Sequence, residues 1–243
     1  MAYISKMKFT LTLCIAAILM ASCSDMSNHS NRLSKEEKKE GFVSLFDGES
    51  MEGWHPYNKG KSASRWTVVN GELYCDPKSK QEPVDLVSDN SYENFELRFE
   101  WKISAAGNSG VFINVVEKPG VPAAWASGPE YQLLESTHPD YVKGSSKMPG
   151  CIFGFTRQEN PAELKPLGEW NESRITQQNG KIEFFLNGVL TTQQDFTSQS
   201  WQDSVSKTWF KEWPEFGKHT QGHIALQDWA KGISFRNIRI KVL

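Results

Sequence analysis

From Phe95 to Ile103 every second residue is large and apolar. Phe95, Leu97, Phe99, Trp101 and Ile103 alternate with Glu96, Arg98, Glu100 and Lys102. A period of two sustained this long puts the apolar set on one face of an extended strand and the charged set on the other. The chain is thereby committed to a sheet with one buried and one wet face. Gly107-Asn108-Ser109-Gly110 supplies small residues for a hairpin connection, and Val111, Ile113 and Val115 are expected to resume the buried face. Further on, Glu130-Tyr131-Gln132-Leu133-Leu134-Glu135 reads as another strand. Glu130 and Gln132 are two apart and share a face. A carboxyl and an amide side by side on a sheet face form the polar floor of a groove rather than part of a core.

The rest of the folded region repeats the pattern of short strands and tight turns. Asn70-Gly71 and Asn179-Gly180 each sit between β-prone runs, and Asn187-Gly188 follows closely. Asn-Gly is the strongest two-residue hairpin signal, because both positions tolerate positive φ. Further strands are expected at Phe42–Phe46, Trp66–Val69, Leu73–Tyr74, Asp85–Ser88, Cys151–Phe155, Trp170–Gln178, Lys181–Leu186, His223–Asp228 and Ile233–Val242. In the last, the apolar positions change from odd to even near Asn237, the mark of a bulge. Phe196–Thr220 breaks the pattern and is the place for a short helix. No sustained helical period and no internal repeat is visible. Residues 41–243 therefore read as one all-β domain, a two-sheet sandwich or jelly roll.

The amino terminus is different in kind. Lys6 and Lys8 precede an apolar run from Phe9 to Met20, shorter than the ~20 residues that span a bilayer. Ala21-Ser22-Cys23 follows. Two small residues before a cysteine form the pattern cut and acylated in bacterial lipoproteins; the plainer alternative is an ordinary signal peptide. The expectation is a lipoprotein signal over residues 1–22 and a lipidated Cys23. Residues 23–40 would be a flexible tether with one helical turn in Lys35–Glu40. Localisation is then the cell envelope, periplasmic or at the outer membrane, with membrane contact only through the lipid. Cys75 and Cys151 remain, either as a disulfide or as two buried thiols.

A net charge of −2 gives no reason to expect nucleic acid as a partner. No nucleophile elbow, phosphate loop, dinucleotide fingerprint or metalloprotease helix is present. The candidates are polar residues at strand ends and in loops. Glu130 and Gln132 form the floor. His138, in His138-Pro139-Asp140, has the intrinsic pKa for proton transfer near neutrality, although such a turn can be only a turn. His223 and Gln227 share a strand face, and Asp228 ends the strand, where it can hold a hydroxyl or cap a turn. Arg98 is equally suited to a cross-strand ion pair, and Asn108 to shaping its hairpin. Among nine tryptophans, Trp125, Trp201, Trp209, Trp213 and Trp229 fall in loops or at strand ends. Indole faces stack on the C–H faces of sugar rings; some of these would instead anchor loops.

Taken together, several segments resemble the 3-keto-disaccharide hydrolase domain family. They are Phe42–Gly48 with Gly53-Trp54, Gly107–Phe112, Glu130-Tyr131-Gln132 with His138-Pro139-Asp140, Gly168–Asn171, Phe184–Gly188, and Gly222–Asp228 with Phe235–Ile238. The resemblance extends over 41–243. It implies a concanavalin-like jelly roll, exported lipoproteins of carbohydrate-degrading bacteria, and an oligosaccharide or glycoside substrate. It also implies cleavage of glycosides already oxidised to a ketone at C3. The ketone acidifies the C2–H; a base removes that proton, the C1 aglycone leaves, and water adds. Such chemistry needs a base, a group for the enolate oxygen and a sugar platform. On chemical grounds the base is expected to be Glu130 or His138. The enolate clamp would be Arg98 or a divalent metal held by groove carboxylates. Asn108, Gln132, Asp140, His223, Gln227 and Asp228 would hold hydroxyls, and Trp125 and Trp229 would stack on rings. Trp229 stands where many relatives carry histidine. The competing expectation is a non-catalytic, lipid-anchored, lectin-like carbohydrate-binding module; it would present a shallow face with no buried ionisable group.

Overall fold

The computed structural model describes residues 31–243; the expected signal peptide and Cys23 lie outside the described residues. The strands are β1 (Val43–Ser44), β2 (Trp54–Pro56), β3 (Trp66–Val69), β4 (Glu72–Cys75), β5 (Leu86–Tyr92), β6 (Phe95–Ile103), β7 (Asn108–Val115), β8 (Glu130–Leu134), β9 (Asn171–Gln178), β10 (Lys181–Leu186), β11 (Val189–Asp195), β12 (Gly222–Leu226) and β13 (Ile233–Val242). They form two antiparallel sheets. One runs β11-β10-β9-β6-β13-β4-β3, with β1 added to the distal half of β13; the other runs β2-β5-β12-β7-β8. The fold is an all-β, two-sheet jelly-roll sandwich.

The alternating run is the centre of the larger sheet. Phe95, Leu97, Phe99, Trp101 and Ile103 are all buried between the sheets. The smaller sheet answers with Val111, Ile113, Tyr131, Leu133, Ile224 and Leu226. Phe99 meets Tyr131 edge-on at 5.8 Å, and Tyr131 lies 4.9 Å from Phe184. Burying each such ring is worth roughly 1.5–3 kcal/mol. Their polar tips are satisfied: Trp101 Nε1 donates to Ser173 Oγ at 2.9 Å, and the Tyr131 hydroxyl donates to the Phe185 carbonyl. Outside, Glu96 pairs with Arg98 and Lys241, and Arg236 with Glu100.

All three Asn-Gly pairs form hairpins, joining β3 to β4, β9 to β10 and β10 to β11. At each, both residues have positive φ, 52° and 79° at Asn70-Gly71 for example, as the twist-matched turn requires. The bulge near Asn237 is also present: the β13–β6 register shifts between Arg236 and Arg239, and Asn237 has φ 51°. The break after Phe196 contains helix α3, Gln199–Ser206; α1 (Lys35–Lys39) and α2 (Pro139–Lys143) precede it.

Four expectations need correction. No hairpin joins β6 to β7: the two strands lie in different sheets, and the link between them is a turn at Ser104–Gly107, closed by Gly107 N–H to Ser104 O at 2.9 Å, so Asn108, Ser109 and Gly110 belong to β7. Val115 does not continue the inner face. Asn114 adopts φ 59° and exchanges two amide hydrogen bonds with Gln177 of the other sheet, at 2.7 and 3.0 Å. That left-handed residue rotates Val115 to the outer side, where it packs with Phe112 and Val87. Residues 151–155 are not a strand. Ile152 makes an isolated bridge to Tyr131, and the segment then turns.

Finally, residues 31–40 are held against the larger sheet. Asn31 N–H donates to Asn237 Oδ1 at 2.6 Å, Asn237 N–H donates to Asn31 Oδ1 at 2.8 Å, and Asn31 Nδ2 donates to the Gly71 carbonyl. Helix α1 has a reciprocal Ser34/Glu37 capping box, and Glu37 pairs with Arg239. Cys75 and Cys151 are separate buried thiols with no disulfide between them.

Asn31 thus completes the buried hydrogen bonding of the β13 bulge. Replacing it by alanine strands the Asn237 N–H and puts a residue less tolerant of the left-handed region than asparagine at φ 66°. The expected loss is about 1–3 kcal/mol in urea unfolding; an unchanged midpoint would show that this segment does not stabilise the fold.

Candidate functional site

The outer face of the five-stranded sheet divides in two. Toward one end, the 116–128 loop seals it: Tyr57, Val121, Ala124 and Ala126 pack on Val87, Phe112, Val115 and Ala225. The Tyr57 hydroxyl fastens this loop by donating to the carbonyls of Val116 and Val121. The other part carries Asn108, Gly110, Glu130 and Gln132, with Asp85, Gln227 and Asp228 at the neighbouring strand ends. Glu130 and Gln132 therefore alternate with the core residues Tyr131 and Leu133 and lie outside the sandwich, as the spacing predicts. They are more deeply covered than a wet groove floor: Glu130 is 8% exposed and Gln132 0%.

Glycine at 110 makes room for this carboxyl. A β-carbon there would lie 2.2 Å from Glu130 Oε1, a separation that no side chain tolerates. Among the described residues, no hydrogen bond reaches the Glu130 carboxyl. Burial raises its pKa well above the usual glutamate range, and the charge of Asp85 raises it further.

Asp85 precedes β5 and is itself 9% exposed. Its Oδ1 accepts the Asp228 N–H at 3.1 Å. Burial pushes its carboxyl up to about 7; hydrogen bonds from the Asp228 and Ala124 N–H groups hold it down, while the Asp228 charge adds to the rise. Asp228 accepts the Val84 N–H through Oδ2 at 3.1 Å, and Arg65 Nη1 lies 3.6 Å from Oδ1.

A cavity of about 290 Å³ opens over Asp85 and Asp228, lined also by Lys59, Trp125, Gln227 and Trp229; Glu130, Gln132 and Asn108 are not part of its lining. Gln132 donates from Nε2 to Asn108 Oδ1 at 3.1 Å. The Oε1 atoms of Gln132 and Gln227 are both buried without a hydrogen-bond partner. Unpaired acceptors are costly when buried. With Asp85 and Asp228, they make a site rich in acceptors, suited to a ligand bearing many hydroxyl donors. Among the described residues, no three His, Cys, Asp or Glu side chains converge in a way that could hold a metal ion.

Glu130, Asn108, Gln132, Gln227, Asp228, Trp125 and Trp229 thus gather on one side of the molecule. Arg98 does not join them. Leu97 and Phe99 face inward, so Arg98 projects from the outer face of the other sheet, paired with Glu96 and stacked 4.3 Å over Phe42. The strand alternation that exposes it also sends it to the far side of the sandwich, so a shared site with Glu130 is excluded.

His138 lies beyond the far end of β8, past about 13 Å of strand from Glu130. It caps α2, its Nδ1 accepting the Asp140 N–H at 3.1 Å. Asp140 is committed to Lys143 and Lys147. His223 is at the opposite end of β12 from Gln227. It bonds the Ser88 carbonyl through Nδ1 and stands edge-on to His55, which is clasped by Asp89 at 2.6 Å and Glu117 at 2.7 Å. His138, Asp140 and His223 are therefore not assembled with the Glu130 group. Asp85, Arg65 and Lys59 were not foreseen. Asp85 opens an expected strand and shares the parity of Val87, but no pattern told which face that parity served.

An antiparallel sandwich of two such sheets, with a carboxyl-bearing outer face, is a concanavalin-like jelly roll. A protein with a galectin-like fold from Bacillus subtilis shares it with a TM-score of 0.51 at 11% identity, covering 88% of this chain and 94% of its own. The chain belongs to the 3-keto-alpha-glucoside-1,2-lyase-like domain family, whose model matches residues 41–241. A 3-keto-disaccharide hydrolase from Bacteroides thetaiotaomicron is 27% identical over 98% of this chain and 99% of its own. A Parabacteroides distasonis protein assigned to the glycosyl hydrolases is 31% identical, covers 88% of this chain and 99% of its own, and superposes with a TM-score of 0.80.

Between the ordinary glutamate pKa and its raised folded value, Glu130 holds a proton that the unfolded chain has released. Raising pH through that window therefore erodes stability. Glu130→Gln is neutral throughout. Urea unfolding is expected to show it more stable than wild type under mildly alkaline conditions, with the gain shrinking toward about pH 4. A pH-independent difference would contradict a buried, raised carboxyl.

Proposed function

We propose that this protein is a carbohydrate-active hydrolase of the cell envelope, anchored through a lipid on Cys23, that cleaves 3-keto-glycosides. The single observation that carries the proposal is the buried carboxyl of Asp85 in the wall of a small cavity with indoles and an unpaired acceptor, Gln227, with the buried carboxyl of Glu130 near enough to feel its charge. Environments that push carboxyls up in this way mark acid–base sites. A lectin-like binder has no use for them, which weighs against that alternative. The family and the name of the Bacteroides relative supply the substrate class.

In this reading Asp85, poised near neutrality, takes the C2 proton of the bound 3-keto sugar. The C–H electron pair forms the enolate of the C3 ketone. Its collapse breaks the C1–O bond, and the aglycone leaves with those electrons and acquires a proton. Water then adds to the unsaturated sugar and restores a hydroxyl at C1. Glu130, held protonated, donates a hydrogen bond to the developing enolate oxygen, a role different from the base that its position on the floor suggested. Lys59, at the cavity, and Arg65, beside Asp228, supply the positive charge that Arg98 is too far away to give. Gln227 and Asp228 accept sugar hydroxyls, and Trp125 and Trp229 pack on the ring. No step is assigned to a metal.

The test is incubation with a 3-keto-disaccharide and with its unoxidised parent, with and without chelator. Only the keto sugar should be cleaved. Asp85→Asn should lower kcat by about 10²–10⁴-fold, and Glu130→Gln by a comparable factor. Cleavage of the parent at the same rate, or full activity in both variants, would overturn the reading.

A further inference from the structure

The described tryptophans are unevenly placed. Trp54, Trp66, Trp101 and Trp201 are buried, while Trp209 is 54% and Trp229 68% exposed. The two exposed indoles are not scattered. Trp229 lines the cavity together with Trp125. Trp209 lies 5.3 Å from the Trp125 ring, and Trp125 meets Trp213 edge-on at 4.8 Å. Trp125 therefore joins the cavity wall to the exposed Trp209 on one flank and to Trp213, packed against the core, on the other.

Trp209 is held in this position. It opens a 3₁₀ turn, Trp209–Glu212, whose cap Thr208 accepts the Phe210 N–H. Its ring stacks at 4.2 Å on Phe210, which in turn stacks on Phe216 at 4.0 Å. An exposed indole fixed by a buried aromatic stack offers a flat apolar surface at little ordering cost. The cavity itself, at about 290 Å³, is at the small end for a ligand pocket, so a ligand of two rings must extend beyond it.

We infer that Trp209, set beside the cavity-wall Trp125, is the stacking surface for the leaving-group half of the substrate. The preferred substrates are glycosides whose aglycone is itself a ring, either a second pyranose or an aromatic group. Glycosides of small alcohols are poorer. The inference rests on the reading that the cavity receives a keto-glycoside, and it assigns a specificity residue that lies outside the carboxyl group.

The experiment measures kcat/KM on three substrates: a 3-keto-disaccharide, a 3-keto aryl glucoside and methyl 3-keto-glucoside. Wild type is compared with Trp209→Ala and Trp209→Phe. Trp209→Ala should lower the ratio of ring-bearing to methyl substrate by about tenfold, mainly through KM, and Trp209→Phe should restore most of it. Selective loss on the disaccharide or on the aryl glucoside tells which ring the surface prefers, and either supports the inference. An unchanged ratio, or an equal fall on all three substrates, overturns it. If wild type cleaves none of them, the proposed function fails separately. Calorimetric binding of the unoxidised disaccharide against methyl glucoside then tests the surface alone: selective weakening in Trp209→Ala supports it, and equal binding in both proteins overturns it.

Discussion

The structure turns on two carboxyls kept out of water on the outside of a sandwich. Glu130 and Asp85 do not face the core between the sheets, yet they are almost as hidden as if they did. Removing a carboxylate from water costs several kcal/mol unless charge or hydrogen bonds compensate, and neither side chain is fully compensated. Asp85 receives backbone N–H groups but sits beside Asp228, and Glu130 has only the space left by Gly110. The economical response is to keep a proton. A fold that tolerates this expense carries two carboxyls that burial makes harder to ionise on one outer face, which ordinary surface acids cannot provide.

The surroundings maintain that condition. The 116–128 loop is pinned by Tyr57, covers half of the outer sheet face, and delivers Trp125 and the Ala124 N–H to Asp85. The Trp209 turn is braced on Phe210 and Phe216 and extends the indole wall outward. On the opposite sheet, the charged residues of β6 settle into ion pairs with Glu96, Lys241 and the α1 region. The two outer faces thus differ in kind: one balances charge in solvent, the other withholds solvent from charge.

Much of the architecture was readable before any coordinates. Alternation over Phe95–Ile103, three Asn-Gly pairs and the parity change near Asn237 identify strands, hairpins and a bulge through local rules alone. The parity of Glu130 and Gln132 correctly separated them from the core. Parity cannot say on which of two sheets a face lies, however. For that reason Arg98 and Glu130 were grouped although they project from opposite sides, and Asp85 passed unnoticed in an ordinary strand opening. By composition His138 looked catalytic and Asp140 a ligand for sugar hydroxyls; they became a helix cap and its ion pairs, a local use that the sequence around Pro139 equally well describes. Asn114 misled for a different reason. Its left-handed backbone is set by a reciprocal amide pair with Gln177, sixty-three residues away, and no local pattern reports such a partner.

The central claim is that a carboxyl at Glu130 remains protonated in the folded protein at neutral pH. Infrared difference spectroscopy of wild type against Glu130→Gln reads this directly, through the carbonyl stretch of an un-ionised carboxyl. The account predicts that band at neutral pH in the wild-type protein and its loss in the variant. A wild-type spectrum with only carboxylate bands, unchanged in that region by the substitution, would contradict it.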